Sequence, residues 1–96
     1  MVSNNNKEDF YSRLEEQLIP SQKWPGPYIF KFIVKSNSEH LETIKKYFQP
    51  FEAKLSIKHS SKNTYISLSV NVLMQSPKEV ISMYKKVGFL EGVMAL

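Results

Sequence analysis

The chain contains no cysteine, which removes disulfides, a thiolate nucleophile and thiolate metal sites together, and makes a reducing cytoplasm the simplest setting. Aspartate is almost as scarce. Asp9 is the only one, and the two histidines, His40 and His59, fall on different predicted elements without ligand spacing. No nucleophile is paired with a base at a readable position, so the expectation is a non-enzyme with no catalytic residue, no metal and no cofactor. No apolar run is long enough to span a bilayer, and the start, Met-Val-Ser-Asn-Asn-Asn-Lys, lacks the apolar core of a signal peptide. The chain therefore reads as cytoplasmic, neither exported nor inserted in a membrane.

What is present is ordinary for a globular protein. The 96 residues suffice for one domain and one core, with 42% hydrophobic and 23% charged residues. Thirteen Lys and Arg against nine Asp and Glu give a formal charge of +4, an excess that favours acidic partners only if it is gathered in one place.

Residues 1–6 are small and polar and are expected to be disordered, with Asn6 capping a helix over about residues 7–19. Phe10, Leu14 and Leu18 give that helix a thin apolar stripe, and Pro20 ends it. Residues 20–27 form a connector stiffened by Pro25 and Pro27, with Trp24 pinning it to the body. Tyr28 to Lys35 alternates as a first strand. Ser36-Asn37-Ser38-Glu39 then offers capping oxygens to a helix carrying Leu41, Ile44, Tyr47 and Phe48, which Pro50 stops.

Alternation returns from Phe51 to His59 and again from Tyr65 to Met74, and the polar run Ser60 to Asn63 between them predicts a hairpin in which Asn63 takes a positive φ. Ser76-Pro77-Lys78-Glu79 is the clearest helix start: Ser76 can accept the Glu79 N–H, and Glu79 can reach back to the Ser76 N–H. That helix bears Val80, Met83, Tyr84 and Val87 and stops at Gly88, and Phe89 to Leu96 reads as a last strand weakened or bulged at Gly92.

After the leading helix the order is βαββαβ. Right-handed crossovers turn it into an α+β ferredoxin-like sandwich, a four-stranded antiparallel sheet with two helices on one face and the first and third strands central.

The run Ser60-Ser61-Lys62-Asn63-Thr64-Tyr65, followed by Ser67 and an alternating strand, resembles the Ser-Ser-Lys-Gly-x-Tyr signature of the YbeD-like family, small bacterial proteins of unknown function. Trp24-Pro25 before a strand at Tyr28, and a C-terminus running from helix into a short apolar strand, are similar as well. The resemblance covers roughly Leu14 to Leu96, departing at Asn63, where the family often has Gly. It implies the same fold and an ACT-like shape, and through that shape a regulatory module. ACT domains usually carry Gly in the turn after the first strand; Ser36-Asn37-Ser38 stands there, so the resemblance brings no amino-acid site with it.

Parity divides the sheet. If Phe30, Phe32, Leu55, Ile57, Leu68 and Val70 face the helices, then Lys31, Lys35, Lys54, Lys58, Tyr65, Ser67, Ser69 and Asn71 face away and form a candidate binding face. Ile29 and Ile33 share that face, and the expectation is partial cover by the leading helix folded back over it, with a second copy of the chain, as a homodimer, the other candidate cover. The expected partner is a protein. The alternative is a nucleic acid or other polyanion on the lysines, although only Tyr65 stands where RNA-recognition domains stack bases. Ser60, Ser61 and Lys62 form a second candidate, an anion-binding corner, against which stands the plain reading that they satisfy the hairpin turn.

Overall fold

The computed structural model describes residues 2–96, with side chains from Lys7 onward. Its elements are α1 (Val2–Leu18), β1 (Gly26–Lys35), α2 (His40–Phe48), β2 (Lys54–His59), β3 (Tyr65–Met74), α3 (Pro77–Gly88) and β4 (Met94–Ala95), with short 3-10 turns at Ile19–Ser21 and Gln49–Phe51. All strand pairs are antiparallel and the sheet order is β2-β3-β1-β4. The ferredoxin-like topology read from the sequence is the one found, with β1 and β3 central.

The core lies between one sheet face and the helices. Phe30, Phe32 and Val34 of β1, Leu68, Val70 and Met74 of β3, Ile44 and Phe48 of α2 and Val80 of α3 are fully buried, each at the parity or helical spacing that aims it inward. Aromatic rings fill the centre. Phe30 lies 5.0 Å from both Phe48 and Tyr84 between ring centroids, close enough for edge and tilted contacts to add to the burial. No buried side-chain polar atom among the described residues lacks a hydrogen-bond partner.

Several local expectations are corrected. The leading helix is bounded as Val2–Leu18 rather than starting near residue 7, so Asn6 lies within those bounds and is not its N-cap. Met1 lies outside the described residues. The second strand starts at Lys54, because Phe51 closes a 3-10 turn and Glu52 is left-handed at φ 55°. The last strand is only Met94–Ala95, since Gly92 at φ +81° turns the chain just before it and Phe89 is 87% exposed. At α3, Ser76 Oγ accepts from the Glu79 N–H at 3.2 Å as expected. The Glu79 carboxylate, however, accepts from the Gln75 N–H at 2.7 Å rather than from Ser76. Gly88 is the last residue of α3 and not a left-handed stop; a Cβ there would stand 3.2 Å from Tyr11 Oη.

That close approach belongs to the largest correction. Helix α1 packs beside α3 and does not fold over the open sheet face. Tyr11 and Leu14 rest on the core cluster and Leu18 is buried in it, while Lys85 lies over the Tyr11 ring and 3.6 Å from Glu8. Phe10 of the expected stripe is 61% exposed, and Tyr11 takes its place beside Leu14 and Leu18 on the packed side of α1. Trp24 holds the connector to this corner, its ring N–H donating to Leu18 O at 3.0 Å.

Candidate functional site

The strand registers assemble the open face row by row. Lys54 stands opposite Asn71, which stands opposite Ile29; Ser56, Ser69 and Lys31 make the next row; Lys58, Ser67, Ile33 and Met94 the third; and Tyr65 and Lys35 the fourth. All eight residues of the candidate face, Lys31, Lys35, Lys54, Lys58, Tyr65, Ser67, Ser69 and Asn71, are thereby brought to one side. The lysines and Asn71 are exposed, and Ser67 and Ser69 are half-buried in the floor.

The face has two zones. Over β2 and β3 it is a floor of short polar side chains, Ser56, Ser67, Ser69 and Asn71, rimmed by Lys54 and Lys58. These two lysines are about 13 Å apart along the strand. Over β1, the C-terminal segment and the end of β3 at Leu73 it carries a band of aliphatic residues. Ile29 and Leu73 are each 55% exposed, Met94 59% and Leu96 67%, and Leu96 is tied beside Lys31 by its N–H donating to Lys31 O at 2.9 Å. Lys31 and Lys35 stand within and at the end of this band.

Charge on the face is of one sign. None of the nine Asp and Glu residues occupies an open-face strand position. The ion pairs among the described residues, Lys45 with Glu42 and Lys85 with Glu8, lie on the helices. Among the described residues none of the four face lysines is in an ion pair.

Sequence parity found the polar half of this face but missed part of the apolar half. Leu73 is in phase with Tyr65 along β3 and was legible. Met94 and Leu96 were not, because their facing depends on the register of a two-residue strand.

The Ser-Ser-Lys corner is differently occupied. Ser60 Oγ accepts from the Thr64 and Tyr65 N–H groups, both at 3.1 Å, while Ser60 N–H donates to Tyr65 O at 2.9 Å. Asn63 turns the chain at φ 56°, and the Ser36 hydroxyl donates to the Asn63 and Thr64 carbonyls, tying this hairpin to the end of β1. The Ser60 hydroxyl is thus engaged by the turn; Ser61 and Lys62 are exposed.

Elsewhere, a groove of about 390 Å³ runs between α2 and β2, lined by residues that include Lys45, Phe48, Ala53 and Leu55. It exists because the helices leave β2 uncovered, so that Leu55 and Ile57 are exposed even on the helix-facing side. His40 lines a second hollow with Lys35, Ser38 and Glu91. No group of three His, Asp or Glu side chains is gathered for a metal among the described residues.

Comparison with known proteins bears on this geometry. A family model described as protein of unknown function, DUF493, matches residues 20–96. The chain belongs to the DUF493 family. The matched span includes the connector, the whole sandwich and the Ser-Ser-Lys turn that carried the sequence resemblance; the whole of α1 lies outside it. No curated protein sequence matches the chain. Among solved structures, this DUF493 chain is similar to protein HP0495 of Helicobacter pylori in two solution structures. One has a TM-score of 0.63 at 20% identity over 80% of this chain and 87% of that one. The other has a TM-score of 0.58 at 22% identity over 80% and 99%. It is also similar to the ACT domain from the GTP pyrophosphokinase of Chlorobium tepidum, with a TM-score of 0.55 at 11% identity, covering 73% of this chain and 96% of that one. At these identities the likeness establishes the shared fold.

Proposed function

We propose that this DUF493 protein is a small, non-catalytic regulatory module of the cytoplasm that works by docking another protein on its open sheet face. The single observation behind this reading is the uncovered face itself, which combines four lysines that are in no ion pair among the described residues with exposed Ile29, Leu73, Met94 and Leu96. Aliphatic side chains on a sheet face are normally covered, and a mixed aliphatic and charged surface is the ordinary composition of a protein interface. The ACT-like shape agrees with a regulatory role, because ACT domains regulate metabolic enzymes. The regulatory reading extends no further than that analogy of fold.

The test is site-specific photo-crosslinking in the cell of origin. A benzoylphenylalanine placed at Asn71 should yield a discrete protein adduct that the same residue placed at Glu42, on the helix side, does not. Equal adduct patterns from both positions would refute the face reading.

A polyanion reading draws on the same uniform charge. Retention on heparin that collapses with salt would favour it; against it, Tyr65 is the only aromatic side chain on the face, and the other apolar residues there are aliphatic and poor platforms for bases.

A further inference from the structure

Granting that the open face is a docking surface, we infer that its occupant is an amphipathic helix whose apolar stripe is flanked by Asp and Glu. Three features of the face lead to this class of partner.

The first is backbone chemistry. An extended segment lying on a sheet face leaves its own N–H and C=O groups unpaired, and so extended ligands join sheets at their edges. A helix carries its hydrogen bonds internally and can lie on a face with nothing but side chains in contact.

The second is dimension. Ile29 and Ile33 are four strand residues apart, about 13 Å, which is the span of about nine helical residues at 1.5 Å each. A helix of three turns laid along β1 would therefore set apolar residues spaced i, i+4 and i+8 against Ile29, Ile33 and their neighbours Leu96 and Met94. Its body, about 10 Å wide with side chains, would reach across β3, whose Ser67, Ser69 and Asn71 are short enough to let it settle.

The third is charge. Lys54 and Lys58 lie two strands from β1, about 10 Å away, at the flank of such a helix. Lys31 and Lys35 stand along its axis. No Asp or Glu of this chain stands at a strand position of the face, and none of the four lysines is in an ion pair among the described residues, so acids on the incoming helix would meet lysines not already paired. The same charges oppose a second copy of the chain, because two such faces brought together would juxtapose eight lysines. An acidic helix is also distinguished from a nucleic acid, which would use the lysines and leave the aliphatic band open to water.

The test is an amide NMR titration of the full chain with three probes. The first is a capped sixteen-residue helical peptide with Leu at i, i+4 and i+8 and Glu on its flanks. The second is the same peptide with Lys in place of Glu, and the third is a twelve-nucleotide oligothymidine. The acidic peptide is expected to shift the amides of residues 29–35, 67–71 and 94–96. Its Kd should rise about tenfold in the Lys54→Glu/Lys58→Glu double variant, and rise again with Met94→Ser. All three positions are exposed, and circular dichroism of each variant is to check that it folds.

Equal binding of the lysine peptide, shifts centred on α2 or α3, or silence from the acidic peptide at millimolar concentration would overturn the inference. Shifts of the face with oligothymidine alone would overturn it in favour of a nucleic acid. Sedimentation as a dimer that protects the face would overturn it in favour of a second copy. The crosslinking at Asn71 is an independent readout: a discrete adduct there alongside a silent acidic peptide would leave the docking face standing and remove only the helix.

Discussion

The phenolic oxygens of Tyr28 and Tyr84 lie 2.9 Å apart and join the start of β1 to the middle of α3, with their rings edge to face at 6.3 Å between centroids. One hydroxyl donates and the other accepts, and loss of the Tyr84 proton would leave a phenolate at a half-buried position. Burial first, and the Tyr28 hydroxyl second, raise the Tyr84 phenol well above its ordinary range. The folded state thus holds this proton longer than the unfolded chain does. The associated stability is complete below about pH 10, the unfolded value, and declines as pH rises beyond it. Tyr84→Phe should cost about 1 kcal/mol at neutral pH and give a shallower loss of unfolding free energy between pH 10 and 11. Urea titrations at three alkaline pH values measure this, and parallel slopes in the two proteins would contradict it.

Helix α1 is expected to stabilise the helix layer and leave the open face alone. Leu18→Ala should cost about 2–3 kcal/mol, because it opens a cavity at a buried position beneath Trp24. Amide shifts caused by the substitution should concentrate in α3 and the connector. Changes of equal size at Ile29 and Ile33 would place the helix on the other face.

The Ser-Ser-Lys turn is expected to behave as architecture. Ser60→Ala removes an acceptor shared by two amides and should lower stability by about 1–2 kcal/mol. Phosphate at millimolar concentration should leave the Ser61 and Lys62 amides unshifted; a saturable shift there would make the corner an anion site.

The aliphatic band is expected to matter for docking and little for folding. Ile29→Thr and Leu73→Thr keep β-branching or strand compatibility at positions more than half exposed, so each should change the unfolding free energy by no more than about 0.5 kcal/mol. The pair together should abolish the Asn71 crosslink. A loss of several kcal/mol would mean that these side chains serve the fold after all.

The turn and strand from Ser60 to Met74 were legible because their determinants are local. Alternation along Ile66, Leu68, Val70 and Val72 fixes the buried face of β3, Asn63 accepts a positive φ, and Ser76-Pro77 starts α3, each within a few residues of sequence. The eight polar residues of the candidate face followed from the same parity, since a strand's side chains have only two directions to point.

Where the prediction failed, the deciding partner was remote or the local choice was nearly balanced. Phe89 to Leu96 is apolar enough for a strand, yet the turn at Gly92 and the edge of β1 admit only Met94–Ala95. The Glu79 carboxylate had two amides within reach and took that of Gln75.

The sequence by itself thus determined the order of elements, the topology and which side chains share a sheet face, because periodicity and capping act over a few residues. Only the tertiary structure decided where α1 lies. The stripe read from the sequence, Phe10, Leu14 and Leu18, fits more than one apolar surface; in the structure Phe10 is left exposed and Tyr11 makes the contacts with Gly88 and Lys85, some seventy residues away. By packing beside α3 it leaves the lysines and aliphatic residues of the sheet face uncovered together.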